Sequence, residues 1–401
     1  MSLPLMLARR SVVVRAAPTF ARSLSTSTVL QSPTPTPRRK VDEKGYEHHF
    51  KDSVAVAPEP APAAVQPTTA APWQPSRPHE KYLLAYPVYS PAELDAVKVT
   101  SFEPKTMADK WARFLVKKAR WAFDLVSGYK HADSDAARAA AKKDGKGDDL
   151  SLQQLRDQGY LMRRDDWMLR ILFLESIAGV PGFTAAMLRH LRSLRLMRRD
   201  GGWINGLLQE AENERMVRRL LEPPHLLTFL KIRGPSPLFR LMVLAAQGVF
   251  TNAFFLSYIV SPKSCHRFVG YLEEEAVHTY TGLVKALERN EVPEWAPETG
   301  FRVPQISIDY WRLPQDATML DLVRAVRADE AGHRFVNHTL ANLGQDDPNP
   351  TSFKHASATV QGTQAGFSRE ESIAWAKQVE EEMTSAKKAG EEEMRKLEER
   401  K

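Results

Sequence analysis

ILFLESIAGVPGFTAAM, residues 171–187, decides how this chain is read. One carboxylate, Glu175, stands in a stretch with no other charge between Arg170 and Arg189. An ionised carboxyl amid so much apolar surface loses its hydration, which is costly unless it is neutralised, paired or bound to a metal. A lone glutamate more often points outward, or pairs with a neighbour such as Arg170, than it binds an ion. Other residues must decide.

Outward from that stretch the pattern is helical. Glycine and proline fall between apolar segments, and long β-branched alternating runs are missing. Helices are expected near 106–130, 163–179, 183–199, 203–221, 236–260, 264–288 and 318–342, so the fold class is all-α. The polar break at 131–149 reads as a surface insertion, and the charge blocks after Gln378 as an exposed helix or a disordered tail.

Further acids fall on these helices. EAENERM carries Glu210, Glu212 and Glu214, LEEEAVHTYTG carries Glu273, Glu274 and Glu275, and RADEAGHRFVNH carries Glu330 with His333 three residues on. At i, i+3 a Glu and a His share one helix face. Bundles that hold two iron ions take lone glutamates from two helices and Glu-x-x-His pairs from two others. The chain has three such pairs, Glu222/His225, Glu275/His278 and Glu330/His333; spacing alone does not say which is accidental. On the 264–288 helix three consecutive acids point about 100° apart, so one faces any given core. Glu273 shares a mostly apolar stripe with Val269, Ala276, Val277 and Tyr280, whereas Glu274 and Glu275 fall elsewhere, solvated or behind the site.

The charge balance narrows the partners. The net charge is +7, and Arg9, Arg10, Arg15, Arg22, Arg38, Arg39 and Lys40 account for all of it; the other cations match the 49 acids. The remainder is neutral, so its basicity gives no ground for nucleic-acid binding. Residues 1–30, rich in Arg and Ser and free of acid, read as a mitochondrial transit peptide. Residues 31–80, rich in Pro, Ala and Thr, read as a linker. Cys265 is the only cysteine, which excludes an intramolecular disulfide and a cysteine-built metal site.

Two segments bear on membranes. Residues 241–262 are uncharged and about long enough to span, though Gln247, Thr251, Asn252 and Ser257 dilute them. In FTAAMLRHLRSLRLMRR, Arg189, Arg192, Arg195 and Arg199 recur at helical spacing beside Met187, Leu188 and Leu191. That suits a helix lying in one leaflet, and equally a basic surface helix.

LFLESIAGVPG, FTAAMLRHLRSLRLMRRDGGWI, EAENERM, QGVF, SPKSCHRFVGYLEEEAVHTYT, YWRLP and RADEAGHRFVNHTLAN together resemble the alternative oxidases of the fungal branch, from about residue 86 to 350. The resemblance implies a ferritin-like four-helix di-iron bundle with extra membrane-associating helices over 81–350, and a polar, charged tail over 351–401. It implies a homodimer on one leaflet of the mitochondrial inner membrane, matrix side. The activity implied is oxidation of ubiquinol with reduction of O2 to water, without proton pumping. Carried over, the ligands of two iron ions are Glu175, Glu214, His225, Glu273, Glu330 and His333. Tyr280 falls on the redox-active tyrosine. Arg170, Leu174, Ala276 and Thr279 fall on positions lining the quinol pocket, and Asn213 and Asp329 lie beside the metal. Two irons need hard, anionic oxygen donors, which glutamates provide.

One departure stands out. The family reads NERMH followed by LLTFLK; here VRRLLEPP (217–224) separates Met216 from His225. In an unbroken helix His225 would sit about 16 Å beyond Glu214, and Pro223 and Pro224 oppose such a helix. Either the eight residues loop out and restore His225, or Val217 takes its place and one histidine is missing. Two other readings follow: a catalytically impaired membrane-bound relative, and a different di-iron enzyme such as a quinone-ring hydroxylase. With no cysteine in the N-terminal region, thiol control of the plant type has no residue to act through.

Overall fold

The computed structural model describes residues 88–129, 133–146, 150–215, 232, 236–352 and 354–399. The leader, the linker, the segment 217–224 and His225 lie outside the described residues. Among the described residues there is no strand. The helices are α1 (Pro91–Ala96), α2 (Met107–Ser127), α3 (Ser134–Lys143), α4 (Leu152–Asp157), α5 (Arg164–Leu196), α6 (Trp203–Arg215), α7 (Pro237–Val260), α8 (Pro262–Glu288), α9 (Gln305–Trp311), α10 (Met319–Asn342), α11 (Ala358–Thr363) and α12 (Arg369–Glu398).

Helix starts follow the local chemistry. Thr106 and Asp109 form a reciprocal capping box on α2, and Thr318 and Asp321 another on α10. Ser236 and Ser261 cap α7 and α8, each followed by a proline whose missing N–H costs nothing at that position.

α5, α6, α8 and α10 form the bundle, with α7 against α5 and α2 against α8. Two apolar clusters fix the helix directions. Met168, Ile171 and Leu172 of α5 pack with Leu283 and Val284 of α8 and Leu322, Val323 and Val326 of α10. At the other end Ala185 and Ala186 of α5 join Trp203 and Leu207 of α6, Val269 of α8, and Val336 and Leu340 of α10. α8 therefore runs antiparallel to α5 and α10. α5, α8 and α10 each change from one cluster to the other across a short belt, which holds Glu175, Glu273, Glu330 and His333, with Glu214 near the end of α6.

α5 differs from the expectation of two helices, since it runs unbroken through Pro181. Proline removes the donor that the Ile177 carbonyl would use. Beside that break, Gln247 Nε2 of α7 donates to the Ser176 carbonyl at 2.5 Å. Gly182 lets α6 close on α5 there: a Cβ would stand 3.0 Å from the Leu207 carbonyl oxygen and 3.1 Å from Ala211 Cβ. The insertion at 131–149 carries a helix of its own, α3.

The C-terminal residues do more than trail. Phe367 packs edge-on against Phe335 of α10 and also meets Trp375 of α12. Arg334, fully buried, donates to the carbonyls of Lys98, Gln361 and Gly362, tying two segments to α10.

Candidate metal centre

Four buried side chains from three helices converge in the belt. Glu214 of α6, Glu273 of α8, and Glu330 and His333 of α10 each offer a ligand atom, all within 4.8 Å of one another. His333 Nδ1 lies 2.7 Å from Glu214 Oε1 and 3.8 Å from Glu330 Oε2. The i, i+3 pair on α10 thus acts as one unit. Glu175 of α5 is buried close by, its Oε1 accepting a short hydrogen bond from the Tyr280 hydroxyl.

The electrostatics of the cluster are unbalanced. Burial, and then the charge of Glu330, push the Glu214 carboxyl up to about 8. Burial followed by the charges of Glu330 and Glu214 raises Glu273 well above the carboxylate range. Burial opposes a charge on His333, but Glu214 and its hydrogen bond outweigh it and raise that imidazole. Burial and Glu175 hold the Tyr280 phenol protonated.

These observations test whether a cation fits. Glu214 Oε2 is buried with no hydrogen-bond partner among the described residues. Carboxylates crowded in a low-dielectric interior repel one another, and a polyvalent cation reverses that sign. The donors are hard carboxylate oxygens and one imidazole, the set used by carboxylate-bound transition metals in bundles. The residues fit.

A second set of polar side chains supports the cage. Asp329 accepts from Tyr89, from Trp311 Nε1 at 2.9 Å and from Asn213 Nδ2 at 3.3 Å. On the other side Asn337 donates to Glu210 and to the His333 carbonyl, and its Oδ1 lies 3.1 Å from His266 Nδ1. His266 Nε2 in turn lies 2.9 Å from the Tyr258 hydroxyl. Burial lowers His266 to about 4 and raises Glu210 to about 7. The sequence reading missed Asn337, although its i+4 spacing from His333 was visible in HRFVNH.

The other anticipated residues divide into a group at α2 and the outer side of α8. Arg170 is buried, donates to Asp124 at 2.7 Å, and stacks 3.8 Å from the Tyr129 ring centroid. Asp124 also meets Arg120 at 3.3 Å, and Arg120 pairs with Glu275. Thr279 Oγ1 donates to the Glu275 carbonyl at 2.8 Å. This chain of contacts links Arg170 to Thr279; Leu174 and Ala276 are partly buried one turn from them. Asp124, Arg120 and Tyr129 were not foreseen, because their link to Arg170 is tertiary.

Two readings left open by the sequence can be narrowed. Glu274 is not solvated: it accepts from Ser101 Oγ, Phe102 N and His338 Nε2, at 2.7, 2.6 and 2.9 Å. Arg189 is buried against Asp200 at 2.8 Å and stacks on Trp203. Arg192 meets Asp346 at 2.8 Å, so half of the basic stripe on α5 serves the fold. The exposed apolar face on α2 (Trp111, Phe114, Leu115, Trp121 and Leu125) went unread.

A helical bundle with a buried carboxylate–histidine cage defines a protein of the bundle-borne metal-centre class. The family model described as Alternative oxidase matches residues 89–342. An alternative oxidase, mitochondrial, of Cryptococcus neoformans var. grubii is 48% identical over 301 residues, 75% of this chain and 71% of the relative. That of Emericella nidulans is 51% identical over 268 residues, 66% and 68% of the two chains. That of Botryotinia fuckeliana is 42% identical over 335 residues, 82% and 84%. The chain belongs to the alternative oxidase family, whose activity is ubiquinol oxidation.

Proposed function

We propose that this chain oxidises ubiquinol at two iron ions and passes the electrons to O2, in the mitochondrion, on the matrix side of the inner membrane. The observation that carries the reading is the buried cage of Glu214, Glu273, Glu330 and His333, with Glu175 and Tyr280 beside it. Glu175, Glu214, Glu273, Glu330 and His333 hold the metal, with His225 completing the set if residues 217–224 loop out. When bound, the ions supply the electron storage that O2 reduction requires.

The chain's own residues handle binding and protons. Each of two quinols gives up two electrons and two protons, and one O2 takes up four of each to form two waters. Arg170 and Thr279 bind the quinol head between them, with Leu174 and Ala276 as its apolar walls. The Thr279 hydroxyl hydrogen is engaged by the Glu275 carbonyl, so its oxygen accepts from a quinol hydroxyl. Tyr280 is too deeply buried to ionise alone, and its hydrogen bond to Glu175 Oε1 would carry its proton away if its electron passed to an oxidised, metal-loaded centre.

Attachment is to one leaflet, through α2 and α7. α7 is long and apolar enough to span, yet one side lies on α5. Its Leu241, Leu244, Val249 and Leu256 are exposed, like the apolar strip of α2. Phe183, Met187, Leu191 and Leu194, exposed on α5, support a homodimer. The leader at 1–30 directs import, 31–80 links it to the oxidase domain of 81–350, and 351–401 forms a polar extension.

Quinol-dependent, cyanide-insensitive oxygen uptake by the purified protein tests the reading, with water as product. Glu175→Ala, Glu273→Ala and Glu330→Ala should each abolish it, and retained uptake in one would remove that residue from the site. Excising 217–224 rejoins Met216 to His225; a clear gain in activity marks the segment as an intrusion, and a loss marks it as a working part.

A further inference from the structure

On the side of α8 away from the cage, a cavity of ≈ 170 Å³ opens between α2, residues 99–101 and α8. Its polar lining is unequal. Arg113 and Lys117 stand one turn apart on α2, and neither has an ion pair among the described residues. The Thr100 hydroxyl is buried there with no hydrogen-bond partner among the described residues. The two acids in the lining are committed: Glu274 to Ser101, Phe102 and His338, Glu275 to Arg120. What remains is a set of donors and cations that lacks acceptors. Such a set is satisfied by an anion bearing several acceptor oxygens.

The position of the cavity narrows the anion. α2 presents Trp111, Phe114, Leu115, Trp121 and Leu125 outward, with exposures from 46% to 70%. Lys118 lies over the Phe114 and Trp121 rings, an apolar face edged by cations as at a lipid–water boundary. We propose that the cavity receives the phosphate of one anionic phospholipid headgroup, whose acyl chains lie along the apolar face of α2. The inference rests on the one-leaflet attachment above, and gives it a lipid class and a site.

Flotation of the purified full-length protein with vesicles tests it, using phosphatidylcholine alone or with phosphatidylglycerol. Arg113→Gln with Lys117→Gln is compared with Lys110→Gln with Lys118→Gln, an equal charge loss on the same helix. Phosphatidylglycerol should tighten binding about tenfold in the parent and largely so in the control pair. The cavity pair should lose that gain and keep its binding to phosphatidylcholine. Equal loss in both pairs would show diffuse surface charge and overturn the site. Loss of the gain to inorganic phosphate, at an ionic strength where chloride has no effect, would assign the cavity to a soluble phosphate and overturn the lipid. Absence of binding to either vesicle would overturn the attachment itself, and this inference with it.

Discussion

Glu273 and Glu274 are neighbours in sequence and lie in opposite electrostatic worlds. Glu273 faces inward, where three carboxylates and one imidazole crowd together and no buried arginine or lysine is among them. Glu274 faces outward into a network that balances itself. There Asp109 Oδ1 accepts from Arg267 Nε at 2.8 Å, and Arg267 Nη1 lies 2.8 Å from His338 Nδ1. The Arg267 guanidinium also stacks 3.5 Å from the Phe102 ring centroid. His338 Nδ1 faces a donor, so its proton sits on Nε2 and goes to Glu274. The outer network is complete as built, whereas the inner one is complete only with cations. Burial of charge alone therefore does not mark a functional site; its imbalance does.

The largest expected effect breaks the symmetry between the two glutamates. Glu273→Ala should lower quinol-dependent oxygen uptake by a factor of ~100 or more, on the scale of losing a group that acts at the reacting centre. Glu274→Ala should keep metal content and most activity per folded molecule. A Glu274→Ala protein that folds normally but lacks metal would put Glu274 inside the site.

The outer network should fail next, through stability. Arg267→Ala strands Asp109 and should cost about 3–5 kcal/mol, read from denaturant midpoints. Glu274→Ala leaves the part-buried Phe102 N–H and the buried His338 ring without an acceptor, for about 1–3 kcal/mol.

A smaller effect sharpens the contrast by its sign. In metal-free protein Glu214 sits at about 8, far above its ordinary 4.5, and His333 is raised as well. Both hold protons that the unfolded chain releases, so their contribution is present at low pH and lost as pH rises through about 8. Asp109 goes the other way. Burial opposes its charge, but the Thr106 hydrogen bonds and Arg267 hold it below 3.8, so its contribution is lost as the pH falls through that range. Metal-free protein should therefore lose stability as the pH rises from 4.5 to about 8, and metal should abolish that loss. The same slope with metal bound would show that the cage is not where it binds.

Much of this was legible in the chain. Glu175 and Glu273 were readable because apolar neighbours leave a carboxylate few cheap alternatives, and Glu330/His333 because i, i+3 spacing fixes a shared face. The five long helices α2, α6, α7, α8 and α10 began within two residues of expectation for the same reason. What stayed hidden depends on distant partners. Asp200 and Asp346 engage two arginines whose role the stripe alone left open, and His338 engages Glu274. Gln247 meets a carbonyl beside the break at Pro181, and the family of contacts around Phe367 drew residues 358–379 onto α10. None of these partners lies within helical reach of the residue it changes.

The most direct test is the metal itself. Purified protein loaded with iron and washed should retain two ions per chain, and Glu273→Ala and Glu330→Ala should retain fewer, with altered Mössbauer parameters in whatever remains. Glu274→Ala should match the parent in both stoichiometry and spectrum. Full iron content with an unchanged spectrum in Glu273→Ala and Glu330→Ala would contradict the assignment of this cage as the catalytic centre.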